Sequence, residues 1–202
     1  MRDILVGMLS PTLGPFAVTM SGGTGTVAEP AVPASGKAVV DLQVGHNTSQ
    51  HEVVDWGDYT TAYTLEMQNL LLAELTAGPS FDAAADKVQW TEDDTGVIAD
   101  LTLIQLRVQR SEPVPGLWHW ELAAAHPATG DLKLPVLPTD VFDWTPKAGE
   151  ATVEPLRNFK VPGGYDAVRG HILDIDAQGS FRDLVTGGSG RALKVTSQAP
   201  VL

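Results

Sequence analysis

Five histidines, at positions 46, 51, 119, 126 and 171, are the side chains of this 202-residue sequence best suited to proton transfer or metal binding. None sits at a recognised ligand spacing. His46 and His51 come nearest: they bracket Asn47-Thr48-Ser49-Gln50 with Glu52 and Asp55 close by, a conceivable surface metal site that reads better as a solvated polar loop. There is no cysteine, so neither a thiolate zinc site nor a disulfide can form. Asp174, Asp176 and Gly179 resemble the start of a calcium loop, but Gln178 and Val185 stand where later oxygen ligands belong, so the stretch reads as a hairpin turn. Asp93-Asp94 before Gly96 reads as an acidic β-turn for the same reason. No serine lies in a strand–turn–helix nucleophile elbow, and Gly22-Gly23-Thr24-Gly25-Thr26 lacks the lysine of a phosphate loop. With 25 acidic residues, chance pairs of carboxylates are unavoidable, so a pair alone identifies no glycosidase. The sequence therefore predicts a protein that is not an enzyme, with no catalytic residue, no metal site and no cofactor.

The tryptophans at 56, 90, 118, 120 and 144 admit two uses. Indole faces stack on sugar rings, as in carbohydrate-binding modules, and they also fill sandwich cores. Trp118, Trp120 and Leu122 share one parity while His119 and Glu121 take the other, which predicts that these two tryptophans are core. Trp56, in a polar stretch three residues before Tyr59, is the candidate ligand or partner contact, together with Tyr59.

The elements that would position these residues are short and extended. Hydrophobic residues make up 43% and charged residues 19%, so the chain can bury a core. Its 20 glycines and 14 prolines demand frequent turns, which favours strands over helices. Two apolar runs, Ile4 to Met8 and Phe16 to Met20, predict short strands, and the Gly/Pro-rich stretch from Ser21 to Gly36 predicts a flexible linker. Alternation predicts strands over 38–44 and 60–67, separated by a polar loop from Gly45 to Asp58. Leu70 to Leu75 predicts a strand ended by Ala77-Gly78-Pro79, and Lys87 to Trp90 another. Between 97 and 108 the apolar parity switches, which predicts a bulge near Leu103. Further strands are expected from Leu117 to Ala124 and, at a proline-marked edge, from Leu132 to Leu137 and Val141 to Trp144. Pro146-Lys147-Ala148-Gly149 predicts a second linker. Beyond it a hairpin pairs 171–175 with 180–184, and Arg191 to Thr196 adds a strand. No fixed-period repeat occurs.

Thirteen basic residues face 25 acidic ones, a net charge of -12, so neither nucleic acid nor an anionic membrane is an expected partner. An acidic surface of this kind keeps a protein soluble. The apolar run near Met1 is shorter than a secretory signal core, and no later stretch approaches a membrane span.

Residues 36 to 147 resemble a β-sandwich of phage tail proteins, the group around the L-shaped tail fibre connector or collar protein, with related units among minor tail proteins of actinobacterial phages. The resemblance is carried by Trp56-Gly57-Asp58-Tyr59-Thr60, Val88-Gln89-Trp90 with Asp94-Thr95-Gly96-Val97, Gly116-Leu117-Trp118-His119-Trp120-Glu121-Leu122 and the Ala128-Thr129-Gly130 turn. Leu117 stands where the pattern has an aromatic, and Ser111 to Pro115 where it has a short helical turn. The resemblance implies an all-β, immunoglobulin-like β-sandwich over 36–147, preceded by N-terminal strands and linker over 1–35 and followed by a small C-terminal β extension over 148–202. It implies a structural protein of a bacteriophage virion, assembled in the host cytoplasm, that contacts other tail proteins as a homo-oligomer. A carbohydrate-binding adhesion module and a capsid decoration protein are the alternatives. The N-terminal strands either join the sandwich or add to a neighbour's sheet.

Overall fold

The computed structural model describes residues 4–8, 18–21, 24–27, 38–46, 49–57, 63–66, 71–93, 96–112, 115–138, 143–161, 163–174 and 194–200. Thirteen strands occupy most of them: β1 (Ile4–Met8), β2 (Val18–Ser21), β3 (Thr24–Val27), β4 (Ala38–His46), β5 (Ser49–Gly57), β6 (Tyr63–Glu66), β7 (Leu75–Asp82), β8 (Lys87–Glu92), β9 (Leu101–Arg110), β10 (Gly116–Ala125), β11 (Asp131–Lys133), β12 (Ala151–Lys160) and β13 (Lys194–Pro200). The described helices are a single turn, α1 (Tyr165–Val168), and the 3-10 turn Arg169–Asp174 that follows it. The fold is all-β, as the turn-rich composition and alternating segments require.

A seven-stranded antiparallel sheet runs β1-β4-β5-β13-β12-β9-β10, and a three-stranded antiparallel sheet runs β11-β8-β7. A further small sheet pairs β2, β3 and β6. The core lies where the β7–β8–β11 sheet covers β9, β10 and β12: Leu75, Val88, Trp90, Ile104, Leu106, Val108, Leu134 and Leu156 are buried together. Trp118, Trp120 and Leu122 pack against this cluster half-buried, so their shared parity does mark the inner face of β10. Trp90 and Leu101 are buried, and the side chains of Val40, Leu42, Tyr63 and Leu65 lie outside the described residues.

Several expectations change. The stretch expected as a polar loop from 45 to 58 is mostly β5, which pairs with β4 from Ser49↔His46 to Gly57↔Ala38. Its buried His51 and Val53 give the strand an inner face, and two-residue spacing, rather than mean polarity, was the informative property. Thr24–Val27, inside the expected linker, is β3; its threonines and valine suit a strand even among glycines. β1 pairs with β4 in the large sheet, from Ile4↔Val44 to Met8↔Val40. Leu72 forms only an isolated parallel bridge with Val97, and the strand begins at Leu75 and runs through Ala77-Gly78-Pro79 with two register shifts. Proline is tolerated there because β7 is an edge strand, where a missing N–H breaks no ladder.

β9 is unbroken from Leu101 to Arg110; the irregularity expected at Leu103 falls on its partner β12, between Val153 and Leu156. Pro155, which has no N–H to give the ladder, stands in that extra stretch. β12 lies between β9 and β13, so Ala151–Lys160 is an interior strand of the large sheet. Where a hairpin was expected to start at His171, the chain makes the 3-10 turn; half-buried Val168 and Ile172, four apart, follow helical spacing. Residues 176–184, and the strand expected from 141, lie wholly or partly outside the described residues. Of the expected 132–137 strand, Leu132 and Lys133 pair with β8 at the edge of the small sheet, together with Asp131 before them, and Pro135 and Pro138 end the pattern.

Gly130 closes the turn between β10 and β11 at φ +65, and a Cβ there would approach the Trp90 carbonyl oxygen to 2.8 Å. The Gly130 carbonyl in turn accepts the Trp90 N–H at 2.9 Å. Gly130→Ala is expected to destabilise the protein by about 1–3 kcal/mol, combining the left-handed backbone penalty with the clash. Urea denaturation read by tryptophan fluorescence measures it; an unchanged midpoint refutes the assignment of this turn.

Candidate functional site

Two polar constructions hold the described strands in place, and an open strand lies beside them. The first is a ring. Inward parity on β8 places Trp90 and Glu92 on one face, and Trp90 Nε1 donates to Glu92 Oε1 at 2.6 Å. Asn158 Nδ2, from β12, donates to the same oxygen at 2.7 Å. Thr102, from β9, donates to Asn158 Oδ1 at 2.8 Å, and its Oγ1 lies 2.8 Å from His126 Nδ1. His126 Nε2 closes the ring 3.4 Å from Glu92 Oε2. Burial raises the Glu92 pKa most strongly, but the hydrogen bonds from His126, Trp90 and Asn158, with the charge of His126 when protonated, outweigh it and hold the carboxyl below its ordinary range.

A hydroxyl, an imidazole and a carboxylate in line have the connectivity of a nucleophilic triad. Thr102, however, is 0% exposed and donates to Asn158. A substrate carbonyl has no approach to its Oγ1, and the ring acts as a tie between sheets.

The second construction is centred on Arg110, the last residue of β9, whose side chain is 2% exposed. Its guanidinium forks onto Glu150, Nε to Oε1 at 2.9 Å and Nη2 to Oε2 at 2.8 Å. It also donates to the carbonyls of Asp143 at 2.6 Å and Thr145 at 2.9 Å. Lys147 N–H adds a bond to Glu150 Oε2 at 2.9 Å. Chiefly through the Arg110 hydrogen bond, against the opposing effect of burial, the Glu150 pKa falls to about 2. The segment 143–150, which includes the expected linker Pro146-Lys147-Ala148-Gly149, is thus bound to the end of the sheet.

The same clamp shapes an aromatic end. Arg110 Cζ lies 5.0 Å from the Trp118 ring centre, Trp144 meets Trp118 edge-on at 5.6 Å, and Trp120 Nε1 donates to the Trp144 carbonyl at 3.2 Å. Trp144 remains 41% exposed and Leu117 56% exposed. A hollow of about 450 Å³ opens beside Arg107, Gln109 and Leu117. β10 ends the large sheet, and among the described residues no strand pairs with its outer side.

The residues singled out in the sequence are dispersed. Trp56 falls within β5, its side chain outside the described residues, and Tyr59 lies outside them altogether. His46 and His51 lie on facing strands of one hairpin, and His51 is buried. Asp93 Oδ1 accepts the Glu74 N–H at 3.0 Å, while Asp94 lies outside the described residues. Asp174 ends the 3-10 turn. Among the described residues no group of three or more His, Asp or Glu is placed to hold a metal, and no helix is long and apolar enough to cross a membrane. Neither polar construction was found from the sequence. The available signal was parity: Thr102 and Arg110 continue the inward-facing series of Ile104, Leu106 and Val108.

No family model, curated protein or solved structure matches the chain.

The ionised Glu150 stabilises the fold fully above the unfolded carboxyl value of 4.5, and this contribution is lost as pH falls through the folded value of about 2. Urea stability is therefore expected to decline between those limits more steeply in the unaltered chain than in Glu150→Gln. Parallel pH profiles would contradict the clamp.

Proposed function

We propose that this chain is a structural component of a bacteriophage virion, a minor tail or collar/connector protein whose immunoglobulin-like sandwich makes protein–protein contacts in a symmetric assembly. The observation carrying this reading is the open edge: a ten-residue strand, β10, ends the large sheet with an exposed Leu117 on it and a half-exposed Trp144 beside it. Apolar side chains next to main-chain groups that no described strand pairs with are what a neighbour needs for strand addition, which requires no deep pocket. Three of the segments behind the resemblance also meet. Trp90 on β8, Trp118 and Trp120 on β10, and the Gly130 turn that bonds Trp90 all belong to one packed unit. Contacts with other virion proteins, rather than with nucleic acid or membrane, agree with the net charge of -12. Mass spectrometry of purified particles from the encoding genome is expected to recover this chain at a fixed ratio to the tail proteins; its absence from particles overturns the reading.

One observation favours a second reading, a carbohydrate-binding adhesion module. The Trp144 indole is 41% exposed and held edge-on against Trp118, a rigid surface on which a sugar ring can stack. Titration with glycans chosen from an array separates the two: a connector shows no saturable change in tryptophan fluorescence, whereas a lectin-like site shows one that Trp144→Ala abolishes.

A further inference from the structure

We propose that β10 pairs antiparallel with β10 of a second copy, about a twofold axis through Trp120, so that the two large sheets become one continuous sheet. The argument starts from which main-chain groups are committed. Gln109 N–H donates to the Glu150 carbonyl on the β12 side, so odd-numbered residues of β9 turn their N–H and C=O groups toward β12 and even-numbered ones toward β10. The register pairs Arg110 with Gly116, Val108 with Trp118 and Leu106 with Trp120, so the even-numbered residues of β10 are those bonded to β9. The His126 N–H bond to the Asp100 carbonyl continues the same parity. Leu117, His119, Glu121, Ala123 and Ala125 therefore direct their N–H and C=O groups away from the sheet.

Side-chain chemistry then selects both partner and register. A twofold axis at Trp120 sets His119 opposite Glu121 of the other copy and, by symmetry, Glu121 opposite His119, two complementary pairs formed from one short sequence. It also sets the exposed Leu117 against Ala123. Moving the axis to His119 places two histidines face to face and Leu117 against Glu121; moving it to Glu121 places two carboxylates face to face. On the inner face the same register sets Trp118 against Leu122 and Trp120 against Trp120, a closely spaced pair without ladder bonds. Pro115, which has no N–H, ends the ladder next to Gly116. Within one copy His119 Nδ1 is 3.9 Å from Glu154 of β12 and Glu121 accepts a 3.3 Å bond from Gln105 of β9, long contacts between partly exposed side chains that are exchanged for the pairs with the second copy.

The axis stands perpendicular to the sheet, so both copies carry their β7–β8–β11 sheets on the same side. The inference uses the same β10 edge as the virion reading, but the two fail separately, because a chain absent from particles can still pair in this way and a chain present in them can be monomeric.

Sedimentation velocity of the full chain across the micromolar range is expected to show a monomer–dimer equilibrium. Ala123→Pro removes an N–H that no described strand uses; it is expected to leave the β-type circular dichroism spectrum in place and yield monomer. Glu121→Arg, a surface change that does not threaten folding, sets Arg against His119 and is expected to weaken the dimer by about tenfold. The double exchange His119→Glu with Glu121→His restores the pairing in mirror order and is expected to recover the original affinity within a few-fold. A chain that stays monomeric throughout overturns the proposal, as does a dimer indifferent to both Ala123→Pro and Glu121→Arg. A weakened dimer that the double exchange fails to rescue overturns the register.

Discussion

A carboxylate placed between two packed sheets must be met by hydrogen-bond donors, and the way Glu92 is met sets the arrangement of four chain segments at once. Trp90 lies two residues away on the same strand face, Asn158 comes from β12, and His126 follows β10. Thr102 on β9 links Asn158 and His126. A slip of one residue in any of these strands would turn a ring member to the opposite face and leave a buried polar group without its partner. Moving a carboxylate out of water offsets much of what its hydrogen bonds return, so the ring contributes more to uniqueness of register than to net stability. Apolar contacts among Val88, Ile104, Leu106 and Leu156 supply attraction but tolerate sliding; the ring does not.

Arg110 solves a related problem at the other end of β9. A single planar cation there satisfies a carboxylate and two main-chain carbonyls, which gives the segment 143–150 a fixed course although it is not itself a strand. Lysine, with one ammonium point, could not form the fork and both carbonyl bonds in the same geometry. The bound segment carries Trp144 to Trp118, so the aromatic end of the large sheet depends on the charged clamp beneath it.

Much of the sheet was legible because strand alternation is local. Val40 to Val44 announced β4, and the Trp118, Trp120 and Leu122 parity marked the inner face of β10. β5 and β3 were hidden because polar or glycine-rich residues outnumber the apolar ones that signal a strand. The irregularity opposite β9 is hidden for another reason: apolar Leu101 and Leu103 on one parity precede Ile104, Leu106 and Val108 on the other and mimic a bulge in a strand that is continuous, while the bulge itself belongs to β12. The candidate site was less legible. Arg110 stands forty residues from Glu150, and Thr102 twenty-four from His126, distances at which spacing carries no information about contact. A polar residue in an otherwise apolar inward series was the only local trace. The tryptophan chosen as a surface contact, Trp56, was selected by its polar neighbours, and those neighbours belong to a strand.

The register shifts and Pro79 in β7 bear on which margins of this molecule can take an added strand. Each large flat sheet margin is a template for endless stacking, and a chain with two equally receptive margins on packed sheets would extend in both directions. Kinked twice and lacking one amide hydrogen, β7 offers an incoming strand no continuous row of partners. That margin of the small sheet is therefore closed to templated growth, and a fibre cannot propagate through it.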